Sequence, residues 1–392
     1  MPRSSAPTAV LAGCLLLAAC SVPPAPAGPD CTAFERYGNL AGTTITFLGP
    51  DDPAYPASFA RFEACTGADV AHEGVTDTAV RLPQRIRAGT PPDVAHIVAP
   101  ALLDALVHGT GAVVPMPPQV AVNVEQSFPE ALGAAGSVDG TRYAAPLGVR
   151  PTSLVRYSPD EFAARGYAVP ATRAELLALA DRIAADGTPP WCAVGTTTLV
   201  DDLEAAVLDG AGPDVYEDWT EHTVPSDDPR IVAALDRVGT MHRTHPAGDA
   251  PDCALARAPG PGDAFPLPPT DPATGRSLLV AADFAAAFSD RPEVAAFQAY
   301  LSSAEWARAM VTQAPPGWIG AHSGLDPTAL PDGPGRAAVE LLRDPSTIVG
   351  YDASDLMPAA VGTRALPAAL AAWLAGTDAR TALGSVEAAW PR

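Results

Sequence analysis

Between Thr43 and His108, β-type runs alternate with helix-type runs, and that alternation confines the chain to an α/β fold. Residues 43–48 (TTITFL) are β-branched and aromatic, and the turn Gly49-Pro50-Asp51-Asp52-Pro53 ends them. Residues 58–66 put Phe59 and Phe62 on one helical face and stop at Gly67. A second strand at 69–72, a second helix at 79–88 and a buried strand at 93–98 follow, then a helix over 100–108. This order predicts a parallel sheet with crossover helices.

Further on the pattern is mixed. Ser137-Val138-Asp139-Gly140 is a turn leading into a strand over 141–145, and residues 154–157 form another strand before a helix that opens at Pro159. Thr172 followed by Glu175 is a capping box for a helix reaching about Ala185. Helices are expected over 201–209 and 229–238, an irregular excursion over 244–263, and a strand at 278–281. Helices over 292–301, 304–311, 335–342, 367–375 and 381–390 complete the chain. The order is one α/β region, a second mixed region, and a return to the first.

The N-terminus fixes where such a fold works. Residues 9–19 are nearly all apolar, follow a short start containing Arg3, and end in Leu17-Ala18-Ala19-Cys20. That is the layout of a secretory signal over residues 1–19 with a lipoprotein box, the Cys20 thiol carrying the lipid. The run is shorter than the ~20 apolar residues a bilayer needs. Leu11-Ala12-Gly13-Cys14 has a similar pattern but too little apolar sequence before it. The Pro- and Ala-rich stretch 21–30 reads as a tether. The expected location is extracytoplasmic, at the outer face of the cell membrane, anchored by Cys20.

A formal charge of −21 repels phosphate backbones and argues against a nucleic-acid partner. All 24 basic residues are arginine. Without lysine there is no Ser-x-x-Lys nucleophile, no Walker-type phosphate loop and no Schiff base. Six cysteines become four once Cys14 is cleaved off and Cys20 is lipidated, and an even number in an exported chain suggests two disulfides. Of three connectivities, Cys31–Cys65 with Cys192–Cys253 is favoured, because each then closes a loop within one region.

Ordered strings along nearly all of the mature chain resemble the family 1 extracellular solute-binding proteins of ABC importers, α-glucoside type. Phe62-Glu63 with Thr66-Gly67, Gly89-Thr90-Pro91-Pro92-Asp93-Val94, Thr152 to Pro159 (TSLVRYSP) and Tyr351-Asp352-Ala353-Ser354-Asp355-Leu356-Met357-Pro358 carry the likeness. It implies a two-lobed α/β periplasmic-binding-protein-like fold of type II, with hinge segments crossing between the lobes and solute held in the cleft. The crossings would fall near Pro146-Leu147-Gly148, near Ala281-Ala282-Asp283, and after Trp318. One lobe would comprise 42–147 and 281–320, the other 148–280 and 321–392, behind a lipidated tether over 20–41. The chain departs from the family at Gly195 to Asp202, where a sugar-touching aromatic loop is replaced by a shorter segment, and again near Met241-His242-Arg243-Thr244-His245.

Sugar recognition needs hydrogen-bonding side chains and an aromatic face. Asp51 and Asp52 follow the first strand, where an open sheet presents its loops, or they form a solvated turn and cap. His96 and Pro100 end the third strand. Arg150 offers a bidentate donor just past the first crossing. Trp318 is the candidate stacking platform, with His322 beside it, and Asp283 and Asp355 lie in the matched strings. Trp219, Trp306, Trp373 and Trp390 read as core. His242 and His245 lack a metal-binding companion motif, and the pairs Asp201-Asp202 and Asp227-Asp228 read as helix caps.

These residues favour a non-enzymatic, cofactor-free, monomeric binder that passes a small neutral solute, a sugar, to an ABC permease. A divergent member acting as a sensor or scaffold is the alternative, and a glycosidase using an acidic pair is a third reading.

Overall fold

The computed structural model describes Met1 and residues 30–391, apart from 246, 250, 258–262, 314–317 and 331–333. The signal run, Cys14, Cys20 and the stretch 21–29 lie outside the described residues, as does the approach to Trp318. The first half-chain runs β1 (Thr44–Pro50), α1 (Ala54–Thr66), β2 (Asp69–Val75), α2 (Thr78–Arg87), β3 (Val94–Ile97) and α3 (Pro100–Thr110). Helices α4 (Pro118–Ser127) and α5 (Glu130–Ala135) precede a hairpin of β4 (Ser137–Val138) and β5 (Thr141–Arg142). Its two turn residues, Asp139 and Gly140, both have positive φ, which suits Asp-Gly.

Strand β6 (Ala144–Pro151) then leads through β7 (Leu154–Tyr157) into α6 (Pro159–Arg165), α7 (Arg173–Ala185), α8 (Thr196–Ala211), α9 (Pro213–Thr220) and α10 (Pro229–His242). β8 (Asp263–Pro266) pairs with β7, and β9 (Arg276–Ala287) returns to the main sheet. After it come α11 (Pro292–Leu301), α12 (Ala304–Val311), α13 (Pro334–Arg343), β10 (Thr347–Tyr351), α14 (Ala353–Leu356), α15 (Leu366–Leu374) and α16 (Ala379–Glu387).

The main sheet has the order β10-β9-β3-β1-β2, with β6 also paired to β9. β1 is parallel to β2 and β3, as the alternating pattern predicts, but β9 is antiparallel to β3 and β6. The sheet is therefore mixed rather than parallel. β9 is also longer than the expected 278–281. It runs on through Ala285-Ala286-Ala287, whose small side chains are all buried.

Two long antiparallel strands, β6 and β9, run side by side from Ala144↔Ala286 to Pro151↔Val280 with a register shift at Pro146/Gly148. They join two lobes. On one side an aromatic core gathers Phe47, Phe59, Phe62, Phe297, Tyr300 and Trp306, with Phe62 stacked on Tyr300 at 5.0 Å. Each such side chain contributes roughly 1.5–3 kcal/mol on burial. On the other side α7 to α10 and α14 to α16 surround Trp191, Trp219 and Trp373.

Phe34 and Tyr37 of the short turn Thr32–Tyr37 pack into the first of these cores, so the chain joins the folded body well before Ala41. The resemblance placed the third crossing after Trp318. Buried side chains from Ile319 to Tyr351 pack instead with Leu103, Val124 and Ala135, and Ala353 is the first after them to join the α8 core. Disulfides link Cys31 to Cys65 and Cys192 to Cys253. Among the described residues no helix is long and apolar enough to cross a membrane.

Candidate functional site

The strand ends deliver charged and aromatic side chains to the place where β6 and β9 pass between the lobes. β1 ends at Pro50, and the Asp51 N–H donates to the Val75 carbonyl at 3.0 Å. Asp52 Oδ1 accepts from the Ala54 N–H at 2.8 Å, which ties that carboxylate to the start of α1. One residue later Tyr55 is 4% exposed. Its ring stacks on Phe47 and His72 and stands edge-on to His96 at 5.9 Å.

His96 on β3 sits with Nε2 3.5 Å from Asp283 Oδ2 and Nδ1 3.5 Å from Thr78 Oγ1. Arg150 on β6 donates through Nη1 to the same Asp283 oxygen at 2.8 Å. Burial alone would raise the Asp283 carboxyl, but His96 and Arg150 outweigh it and hold it below the usual range. The structure thus brings three of the sequence candidates, His96, Arg150 and Asp283, into one cluster.

Asp355 on α14 faces that cluster from the other lobe. Burial raises its carboxyl, the Asp283 charge adds to this and Arg150 opposes it. Asp201 on α8 lies close enough to sense Asp355, and burial pushes it up to about 7 against the pull of Arg257. Sequence reading treated Asp201-Asp202 as a helix start. Helix α8 begins five residues earlier at Thr196 with Gly195 as N-cap, so neither aspartate caps it. Asp202 points inward, accepting from Arg257 Nε at 2.6 Å and paired with His242 Nε2 at 2.6 Å. Asp228, by contrast, does cap α10, accepting from the Arg230 N–H.

Behind this front, hydrogen bonds lock α14 to α8 and to the crossing. Glu204 Oε2 and Oε1 accept from the Ala353 and Ser354 N–H groups at 3.0 and 2.8 Å. The Tyr216 hydroxyl donates to the Tyr351 carbonyl, and the Tyr351 hydroxyl donates to the Ala282 carbonyl on β9. Thr152 donates to Asp352 at 2.7 Å. Burial raises both Glu204 and Asp352.

Trp318 lies over Gly148 at the β6 register shift, so close that a Cβ at Gly148 would fall 2.1 Å from its indole nitrogen. It stands edge-on to Trp306, remains partly exposed, and its Nε1 has no hydrogen-bond partner among the described residues. His322 goes elsewhere: Nδ1 accepts from the Gly324 N–H at 2.9 Å and the ring packs on Phe128. Asp51 is exposed beside Gly74, and Pro100 borders a side groove of about 640 Å³ leading toward Tyr351 and Leu356. His245 pairs with Asp181. Among the described residues, no group of three or more His, Cys, Asp or Glu converges as metal ligands.

Sequence reasoning did not single out Tyr55, and it read Asp201 with Asp202 as a helix cap. Tyr55 carries no local signal in the sequence, and only the coordinates place it edge-on to His96 within range of the Asp283 charge. Asp201 was visible, but its helix register was not.

No family model matches the chain. It is 31% identical over 88% of its length, and 91% of the relative's, to the osmoprotective compounds-binding protein GgtB of Synechocystis sp.. It is 25% identical over 91% of its length, and 89% of the relative's, to the alpha-glucosides-binding periplasmic protein AglE of Rhizobium meliloti. Among solved structures, the bacterial solute receptor AcbH, described as exclusively preferring β-D-galactopyranose, superposes with a TM-score of 0.73. That match covers 89% of this chain and 97% of AcbH at 18% identity, a likeness of fold.

Proposed function

The chain belongs to the carbohydrate-type family 1 solute-binding proteins of ABC importers, and on that premise we propose that it captures a small sugar between its lobes and delivers it to an ABC permease. The observation that carries this reading is the meeting of polar side chains from both lobes at the paired strands β6 and β9. Tyr55, His96 and Asp283 come from one side, Asp201 and Asp355 from the other, with Arg150 between them. A solute that bonds to both sets favours the closed arrangement of the lobes, which is the form a permease reads. Trp318, half-buried over Gly148, supplies the aromatic surface for an apolar ring face.

In this reading Cys20 carries the lipid, the protein is monomeric and stands on the outer face of the cell membrane, and it has no catalytic role. Asp202 supports the last point, since Arg257 and His242 occupy its carboxylate and remove it from any acid–base pair. One observation favours the divergent alternative, a sensor or scaffold with altered specificity: Trp191, Trp219, Trp306 and Trp373 are all fully buried, leaving few rings for stacking.

Thermal-shift titration of the mature protein against trehalose, sucrose, maltose, galactose and raffinose tests the main reading. A ligand at about a hundredfold its Kd stabilises by about 2.7 kcal/mol. No shift with any of them would overturn sugar capture. The anchor is tested by Cys20→Ala, which is expected to release the protein from the membrane fraction into the medium.

A further inference from the structure

We propose that Tyr216 and Tyr351 are positioning residues, whose hydroxyls tie α9 of the second lobe to β9 beside Asp283 and so fix the angle at which the lobes meet over the solute. This rests on the reading of the crossing as the solute site, and in it the two phenols make no contact with the solute themselves.

The chain steps from one core to the other at Tyr351-Asp352-Ala353, since Tyr351 joins the core of Leu103 and Val124 and Ala353 joins that of Leu203 and Leu208. The Tyr216 hydroxyl, buried in the second core, bonds on both sides of that step. It donates to the Tyr351 carbonyl at 2.7 Å and accepts from the Ala353 N–H at 2.9 Å. The Tyr351 hydroxyl repeats the pattern on β9, donating to the Ala282 carbonyl at 3.0 Å and accepting from the Ala282 N–H at 3.3 Å. Ala282 is next to Asp283, whose carboxylate Arg150 and His96 hold. Two phenols in series thus link α9 to the backbone beside the site.

Phenylalanine would fill the same space in either core, so the hydroxyls serve the bonds they make. Both are buried, and each donates and accepts, so removing one leaves a buried carbonyl short of a donor. The other bonds at the step stay on one side of it. Glu204 on α8 takes the Ala353 and Ser354 N–H groups, while Asp352 bonds the Val280 carbonyl and the Thr152 hydroxyl. Turning α9 about Asp352 while β10 stays with β9 stretches the Tyr216 bond to the Tyr351 carbonyl. The tie therefore favours a narrow range of lobe angles, and the one it favours brings Asp355 within range of Arg150 and Asp283.

Lobes that relax from that angle leave a smaller share of molecules competent to hold a solute. The apparent Kd rises by that share, and equally for every solute, because the phenols do not touch it. One buried hydrogen bond corresponds to about a fivefold change. Since the two hydroxyls act in series, losing either releases the tie and losing both releases no more.

Calorimetry on the mature protein with trehalose, sucrose, maltose, galactose and raffinose tests the proposal. Tyr216→Phe and Tyr351→Phe are each expected to weaken every sugar that binds by one common factor, about three- to tenfold. The double variant should lose no more than about twice the larger single loss. Val238→Ala, which trims the α10 packing of the second core, should lower the melting point comparably and leave each Kd at its wild-type value. Far-UV circular dichroism and the melting point of each unliganded variant report whether it folds. Wild-type affinity in either phenylalanine variant, factors that differ from sugar to sugar, or losses that multiply in the double variant would overturn the tie and leave sugar capture standing. Silence from all five sugars with the wild-type protein would overturn sugar capture, and the tie with it.

Discussion

Asp201 and Asp202 are neighbours on α8, yet one looks into the crossing and the other into the second lobe's interior. Asp202 is 2% exposed and fully partnered, with Arg257 at 2.6 Å and His242 at 2.6 Å, and its carboxyl is held low despite burial. Asp201 meets less burial, has no side-chain partner among the described residues, and is pushed up. The same residue type, one position apart, is architecture in one region and an open valence in the other. Arg257 carries the structural half further, since its other nitrogens bond the carbonyls of Thr152 and Leu154 and so clamp α8 to the strands leaving the hinge. Buried charge with every partner present marks the frame, and charge left without one marks the place for a ligand.

Breaking the frame side should give the largest effect. Arg257→Leu leaves Asp202 buried against His242 alone and frees two carbonyls, so it is expected to cost about 3–5 kcal/mol by urea denaturation. Adding Asp202→Leu should recover a good part of that, because the orphaned charge goes with it. A single-variant loss below about 1 kcal/mol would mean that Asp202 is no more structural than Asp201.

Asp283 falls between the two extremes, since it is partnered but opens toward the crossing, and Arg150 is half exposed. Asp283→Asn is expected to cost about 1–3 kcal/mol at neutral pH. The sign with pH is fixed by its lowered carboxyl. The contribution is present above the unfolded value near pH 4 and is lost as pH falls through the lower folded value. Wild type and variant should therefore converge in acid. A gap that persists there would place the effect in packing rather than in the His96–Arg150 pairing.

What the sequence made legible follows the same division. Elements with a strong local signal came through. The capping box at Thr172 and Glu175 starts α7, and the β-branched run before Gly49 forms β1. The start of α8 did not, because Thr196-Thr197-Thr198 is a weak helix former and only the packing of Leu199 and Leu203 draws it into the helix. β10 was unread because Gly350 interrupts its apolar run, and that glycine is set against Leu208 and Leu279 so closely that a side chain would collide. The site shows the same limit. Asp283 and Arg150 were nameable from their strings, but their bond depends on the β6–β9 register, Gly148 opposite Asp283, which no local pattern encodes. His322 sits beside Trp318 in sequence, and its ring turns away to Phe128.

The smallest expected effect, and the one most particular to the open side, concerns Asp201. Its folded value of about 7 lies above the ordinary aspartate value, so the ionised form is the one the fold disfavours. The stability linked to it is fully present below about pH 4 and is lost as pH rises toward 7. Asp201→Asn removes that slope, so the unliganded variant should be more stable than wild type by about 1–2 kcal/mol in mild alkali. This is less than the whole shift would imply, since solvent still reaches the carboxylate. At acid pH the two proteins should melt together. An Asp201→Asn protein that is less stable than wild type above pH 7 without ligand would show that the carboxylate already has a partner, and the contrast with Asp202 would collapse.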